Sequence, residues 1–213
     1  MNLYKIKETQ QQIIYRVMIE RIEKEMTAEL LSFLIGKPSD YIARFECYKS
    51  KGYPMAVLKK IALTLGVEDH MVFIPPVISN KTLKGYMRKY SSESFSTYVS
   101  TVFSEDNEKT VQFMMESTEN KCSMLEFQKT SYAELIIVVD MLYVMVRDGY
   151  LDNPKLPMHI LLYMNNFLKF DVDPYCLNFL LEDCCDDTHQ FKLKKLKVHG
   201  YQFFVTADPV RWG

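Results

Sequence analysis

The chain has 213 residues, of which 48% are hydrophobic and 13% aromatic, and its formal net charge is −1. This composition excludes a disordered or low-complexity protein, because such segments are poor in apolar and aromatic side chains. A charge near zero gives no overall attraction to nucleic acid or membranes, so any such affinity has to come from a local patch.

The cysteines and the apolar runs indicate the compartment. Five cysteines at irregular spacing do not form a secreted disulfide framework. The first residues, MNLYKIKETQQQ, lack the apolar stretch of a signal peptide. The most apolar run, residues 135–146, is shorter than the roughly 20 residues that a membrane-spanning helix needs. We therefore expect a cytoplasmic protein that makes no contact with a membrane.

Helical periodicity runs from residue 9 to about residue 73 and stops at the pair Pro75-Pro76. A Pro-Pro pair does not fit inside a helix, and it extends the residue before it. The sequence therefore predicts an N-terminal domain at residues 1–74, a linker at 75–82 and a C-terminal domain at 83–213.

Four helices and a short closing segment are predicted in the N-terminal domain. The first covers TQQQIIYRVMIERIEKEM, and Thr27 caps a second that ends at Gly36. Pro38 suits the first turn of the third, where a missing N–H costs nothing. The fourth follows the loop CYKSKGYP and stops at Gly66, and the apolar run at 71–73 closes the unit.

Two runs carry a resemblance to a known family. From Thr27 to Glu46 the chain reads T-x-x-x-L-S-x-x-I-G-x-x-x-x-Y-I-x-R-F-E, and P-x-x-x-L-K-K-I-A-x-x-L-G-V follows. Together they resemble the phage-repressor and Cro (XRE-like) helix-turn-helix domain over about residues 9–73. The resemblance implies a five-helix, lambda-repressor-like domain and a sequence-specific transcriptional regulator. Such a regulator inserts its third helix into the major groove of double-stranded DNA, usually as a homodimer.

The resemblance also implies roles for individual residues. It pairs Arg21 with Glu46 as a structural ion pair between the first and third helices. The residues that it places at DNA are Thr27, Ala28, Lys37, Pro38, Ser39, Asp40, Ala43, Arg44, Tyr48, Lys49 and Lys51. Of these, Pro38, Ser39, Asp40 and Ala43 face the bases, with Arg44 at the margin, and the others meet sugar or phosphate. The base-facing set lacks Arg, Gln and Asn, so we expect few specific contacts to the bases.

An alternative use of the same fold is a protein-interaction module that has no DNA operator. Residues 1–74 hold 11 Lys and Arg against 9 Asp and Glu, a balance of +2. That balance is small for a DNA-binding domain, which usually concentrates more positive charge. The alternative therefore stays open at this stage.

The C-terminal domain is predicted to be helical. Aromatic and apolar residues recur at helical spacing through residues 83–128: Tyr86, Tyr90, Phe95, Tyr98, Val99, Phe103, Val111, Phe113 and Met114. Further helices are predicted in SYAELIIVVDMLYVMVRDGY, MHILLYMNNFLKF and YCLNFLLEDCC. We expect a mainly α protein in which this domain mediates dimerisation or senses a protein or small-molecule effector.

The last segment, QFKLKKLKVHGYQFFVTAD, has the composition of two strands joined at Gly200. Three helices followed by a hairpin is the order of a winged-helix module. Lys192, Lys194, Lys195 and Lys197 then either contact phosphate or protect a solvated edge strand, and the second interpretation is favoured. No P-loop, G-x-G-x-x-G, G-x-S-x-G or H-E-x-x-H motif occurs, so we expect no enzyme, cofactor or metal site.

Overall fold

The computed structural model describes residues 3–92, 96–103, 109–117, 131–186 and 191–207. Its contacts divide the chain into two compact units. The first contains residues 1–31 and 39–120, and the second contains residues 32–38 and 121–213. This grouping differs from the ranges predicted from the sequence, because the N-terminal residues pair with a strand that follows Pro76.

The helices of the first unit lie close to the predicted positions. A strand, β1 (Tyr4–Lys7), leads into α1 (Glu8–Glu23), and α2 (Ala28–Leu34), α3 (Tyr41–Glu46) and α4 (Met55–Thr64) follow, with a 3-10 helix at His70–Phe73. The last residues of α2 belong to the second unit. The Thr27 hydroxyl accepts a hydrogen bond of 3.1 Å from the Leu30 N–H, as expected of an N-cap.

A four-stranded antiparallel sheet completes the first unit. Its order is β1, β2 (Thr82–Ser91), β3 (Ser96–Phe103) and β4 (Lys109–Ser117). On the face turned inward, Ile6 of β1 lies opposite Leu83 of β2, and both are buried. Their neighbours on the other face, Lys5 and Lys84, are exposed partners in the same register. The alternation follows from the two-residue period of a strand.

The prediction of a mainly α, all-helical protein was wrong. Residues 82–91, 96–103 and 109–117 are strands, whereas a helical stripe had been predicted across 83–128. The alternation in β3 was hidden because two of its inward positions, Ser96 and Ser100, are polar. Apolar residues alone therefore showed a spacing near that of a helix. Phe95 lies outside the described residues.

The second unit combines helices with a hairpin. Its elements are α5 (Tyr132–Arg147), a 3-10 helix at Tyr150–Asp152, α6 (Pro157–Phe167), α7 (Pro174–Asp183), β5 (Leu193–Val198) and β6 (Tyr201–Thr206). Ser131 and Glu134 form a reciprocal capping box at the start of α5. The Asp173 side chain accepts a hydrogen bond from the Tyr175 N–H at the start of α7.

The hairpin lies at the chain segment where the sequence predicts one. Its turn residues, His199 and Gly200, have φ values of 50° and 73°, the left-handed conformation that tight hairpins need. Lys155, between α5 and α6, bridges to Phe204 of β6 through two backbone hydrogen bonds of 2.9 and 2.8 Å. The second unit therefore has a short bridge before α6 and the hairpin after α7.

Candidate nucleic-acid interface

Arg21 and Glu46 join the first and third helices through a buried ion pair. Arg21 Nε lies 2.8 Å from Glu46 Oε1, and Nη2 lies 3.1 Å from Oε2. The two side chains are 0% and 3% exposed. Arg21 Nη1 also donates a hydrogen bond to the carbonyl oxygen of Met26. Bidentate geometry of this kind fixes both side chains, so the pair sets the angle between α1 and the end of α3.

The residues predicted to face the bases are accessible. Pro38, Ser39 and Asp40 are exposed, and Ala43 is half-buried. Helix α3 begins at Tyr41, so Pro38 precedes it and does not occupy its first turn. The Asp40 carboxylate lies 3.3 Å from the guanidinium of Arg44, which partly offsets its negative charge. Solvent therefore reaches the face that would read DNA.

Lys37 is already engaged within the second unit. Its ammonium donates a hydrogen bond of 2.9 Å to the carbonyl oxygen of Gly200 and lies 3.2 Å from the centre of the Tyr201 ring. The preceding residue, Gly36, accepts a backbone hydrogen bond of 2.7 Å from Gln202. The sequence assigned Lys37 to a phosphate. In the structure it holds the turn after α2 to the hairpin.

Tyr48 does not have the surface position that the resemblance gave it. It is 2% exposed, and its hydroxyl lies 2.7 Å from the hydroxyl of Ser100. Gln11 Nε2 donates to both oxygens, at 3.2 and 3.1 Å. Burial raises the pKa of Tyr48, and the hydrogen bonds to Ser100 and Gln11 partly counter the rise. The assignment of Tyr48 to sugar or phosphate was wrong, because its hydroxyl ties the loop after α3 to the sheet.

Two cations in that loop remain accessible. Lys49 and Lys51 are exposed, whereas Thr27 and Ala28, at the start of α2, are half-buried. Lysine side chains neutralise phosphate as point charges and do not read bases. The exposed basic groups on this part of the chain therefore suit sequence-independent contacts.

No protein-family model, curated protein or solved structure matches the chain. The resemblance to the XRE-like family therefore rests on the residues of the sequence alone.

Sequence reasoning overlooked several polar residues of the first unit. Ser100 is a buried partner of Tyr48, and nothing in its local sequence indicates that role. Lys5 and Lys7 lie together with Lys51 at a cavity. The alternation in YKIK is the signal that could have placed Lys5 and Lys7 on one face of a strand.

Two cysteines of the second unit, Cys176 and Cys184, are buried. Burial is the main cause that raises the pKa of Cys176 to about 11 and that of Cys184 to about 12. Both thiols therefore stay protonated at neutral pH. Among the described residues no cluster of three or more His, Cys, Asp or Glu side chains is arranged to hold a metal. Within the same residues, none of the helices has both the length and the apolar character to cross a membrane.

Proposed function

We propose that the protein is a DNA-binding transcriptional regulator in which the start of α3 enters the major groove. The observation that carries the proposal is the exposure of Ser39 and Asp40 at the start of a helix whose far end is fixed by the buried Arg21–Glu46 pair. A rigidly held helix with an accessible N-terminal end is the geometry that helix-turn-helix proteins use to reach base edges.

Affinity would come mainly from the phosphates. Lys49 and Lys51 are exposed in the loop after α3 and would neutralise backbone charge. Arg44 offers a fork of donors that suits guanine, and Asp40 accepts a hydrogen bond from cytosine N4. Because these two side chains also pair with each other, their discrimination between bases would be modest. The deformability of the DNA would then contribute to specificity.

One recognition helix covers only a few base pairs, so the regulator would act as a homodimer on two half-sites about one helical turn apart. A protein or small-molecule effector would act through the second unit. We place the protein in the cytoplasm and propose no enzymatic activity for it. The free thiols of Cys47, Cys176, Cys184 and Cys185 fit a reducing compartment.

Binding to random-sequence duplex across a range of salt concentrations tests the proposal. Each phosphate neutralised by a lysine lowers the slope of log K against log salt by about 0.9. The variant K49A/K51A should therefore weaken binding to every sequence. It should also reduce the magnitude of the slope by about the contribution of two phosphate contacts. K59A/K169A changes two exposed lysines outside the residues assigned to DNA and should leave the slope unchanged.

Base reading needs a separate measurement. Sites selected by S39A and D40A should differ from those selected by the original chain, because these side chains face the groove. If both variants recover the same sites with the same preference, α3 does not read the bases. If the duplex does not bind at low salt, the proposal fails altogether.

The second candidate is a protein-interaction module that uses the same fold without an operator. Two observations favour it: the Lys37 ammonium is held by Gly200 and Tyr201, and the accessible face carries the acidic Asp40. Both reduce the positive charge available to DNA. Undetectable duplex binding at low salt would support this candidate.

A further inference from the structure

A cavity of about 530 Å³ opens on the first unit, where β1 meets the loop before α4. Its volume falls within the range of roughly 300–1,000 Å³ that is typical of small-molecule sites. The residues that line it are Lys5, Ile6, Lys7, Gln10, Lys51, Gly52, Tyr53, Pro54 and Thr82. Three of them are lysines, and none is acidic.

The lysines make this cavity strongly positive. Lys5 and Lys7 project from the same face of β1, and Lys51 comes from the loop after α3. Among the described residues, none of the three has a carboxylate within ion-pair distance. The nearest acidic residue in sequence, Glu8, accepts a hydrogen bond from Ser79 and does not line the cavity.

The sheet register places a fourth cation, which does not itself line the cavity, opposite one of these lysines. Lys84 of β2 lies directly opposite Lys5 of β1. Like charges in that position destabilise a pair of strands, and an anion between them would remove the repulsion. The cavity also lies at the start of α1, where the helix dipole is positive, since Lys7 and Gln10 flank the first helical residues.

Gln10 supplies a polar group that is independent of the lysines. Its Oε1 atom is buried and has no hydrogen-bond partner in the described part of the chain. The side chain lies against Gly52, where an added Cβ would come within 1.8 Å of Oε1. In its present orientation the Oε1 atom accepts no hydrogen bond. Rotation of the amide toward a ligand therefore breaks no hydrogen bond of this atom. The amide N–H groups could then donate to an anion.

We propose that this cavity binds a small, multiply charged anion of the phosphate class. Lys5, Lys7 and Lys51 neutralise its charge, Gln10 donates a hydrogen bond, and Ile6 and Tyr53 form the apolar wall. The same chemistry is carried by a free phosphorylated ligand and by the DNA backbone. The site lies in the first unit, whereas the sequence placed effector binding at the C-terminal domain.

Calorimetric titration of the full chain with inorganic pyrophosphate tests the site, with sodium chloride adjusted to hold ionic strength constant. We expect saturable binding of one pyrophosphate per chain. The variant K5Q/K7Q removes two charge-assisted contacts and should weaken binding by about tenfold or more. K51Q should also weaken it. K24Q/K59Q makes the same change of charge at two exposed lysines that do not line the cavity and should bind like the original chain.

Two outcomes of the titration overturn the site. Titration without saturation would exclude a specific site. Equal weakening in K5Q/K7Q and K24Q/K59Q would mean that binding depends only on the overall charge of the chain. A third arm measures the same variants with random duplex. If K5Q/K7Q weakens duplex binding while pyrophosphate does not bind, the lysines belong to a DNA-contacting surface. Saturable pyrophosphate binding in a protein that does not bind duplex would leave the site standing and remove the DNA-binding function instead.

Discussion

Arg21 on α1 holds Glu46 at the end of α3 through two hydrogen bonds of 2.8 and 3.1 Å. Both side chains are essentially withdrawn from water, at 0% and 3% exposure. A buried pair contributes little net stability, because desolvation of both ions offsets their attraction. Loss of one partner is a different matter, because it leaves the other charge buried and uncompensated.

We therefore expect R21A and E46A each to lower the free energy of unfolding by about 3–5 kcal/mol. The double variant R21M/E46L replaces both charges with apolar groups and should lose much less than the sum of the single changes. Urea denaturation followed by circular dichroism measures all three. Additive losses would mean that the two residues act separately, which contradicts the pairing.

Tyr53 carries a buried hydroxyl that has no hydrogen-bond partner among the described residues. Its ring stacks on Phe45, with centroids 4.2 Å apart. Y53F keeps the stacked ring and removes the unsatisfied group. We expect it to raise the free energy of unfolding at pH 7 by about 1 kcal/mol. A loss of stability on this change would show that the hydroxyl has a partner in solution.

The same residue predicts an alkaline dependence. Burial, followed by the nearby Glu46 charge, raises the pKa of Tyr53 well above its ordinary value of 10.0. The unfolded chain therefore releases this proton at a lower pH than the folded chain does. This group therefore leaves the free energy of unfolding unchanged below about pH 10 and lowers it progressively as pH rises from there toward the folded pKa. Denaturation between pH 8 and 11 should show a smaller alkaline loss for Y53F, and identical pH profiles would contradict this.

Gly36 lies in the turn that contacts the hairpin, and Gly66 is a matched control with the same backbone conformation. Their φ values are 70° and 69°. An added Cβ at Gly36 would come within 2.5 Å of Leu156 Cδ2 and 2.7 Å of Gln202 O, whereas at Gly66 nothing lies within 4 Å. G66A should lower the free energy of unfolding by about 1 kcal/mol, the cost of placing a residue with a Cβ in the left-handed conformation. G36A should cost about 3 kcal/mol, since overpacking adds to the strain. Equal losses in thermal unfolding would mean that Gly36 does not pack against the hairpin.

Lys5 and Lys84 repel each other across the first two strands of the sheet. K5Q should therefore raise the free energy of unfolding by about 0.5 kcal/mol at low salt. The gain should largely disappear at 1 M salt, where the screening length is about 3 Å. K24Q, at an exposed helix end, serves as the control. A gain that does not depend on salt would exclude repulsion as its cause.

The helices could be predicted because their signals are local. Thr27 and Ser131 cap α2 and α5 through their own side chains, and Gly36 and Gly149 follow helix ends with positive φ. Gly200 marks the hairpin turn in the same way. Each of these features depends on residues within a few positions, so the order of side chains carries the information.

Tyr48 and Ser100 show what the local order could not reveal. They are 52 residues apart, and the inward position of Ser100 breaks the apolar alternation that would have identified β3. The pairing of β1 with β2 likewise joins residues 4–7 to 82–85, and it brings Lys5 to Lys84. Strand partners and buried polar networks are selected by contacts between distant segments.

By itself, then, the sequence determined the seven α-helices described, the caps of α2 and α5 and the terminal hairpin, because backbone propensity and capping act over a few residues. Only the tertiary structure decided the four-stranded sheet, the burial of Tyr48, the engagement of Lys37 and the cluster of lysines at the cavity. The physical reason is that hydrogen-bonded pairing of strands and the grouping of like charges depend on which distant segments meet, and no short stretch of chain specifies its own partner.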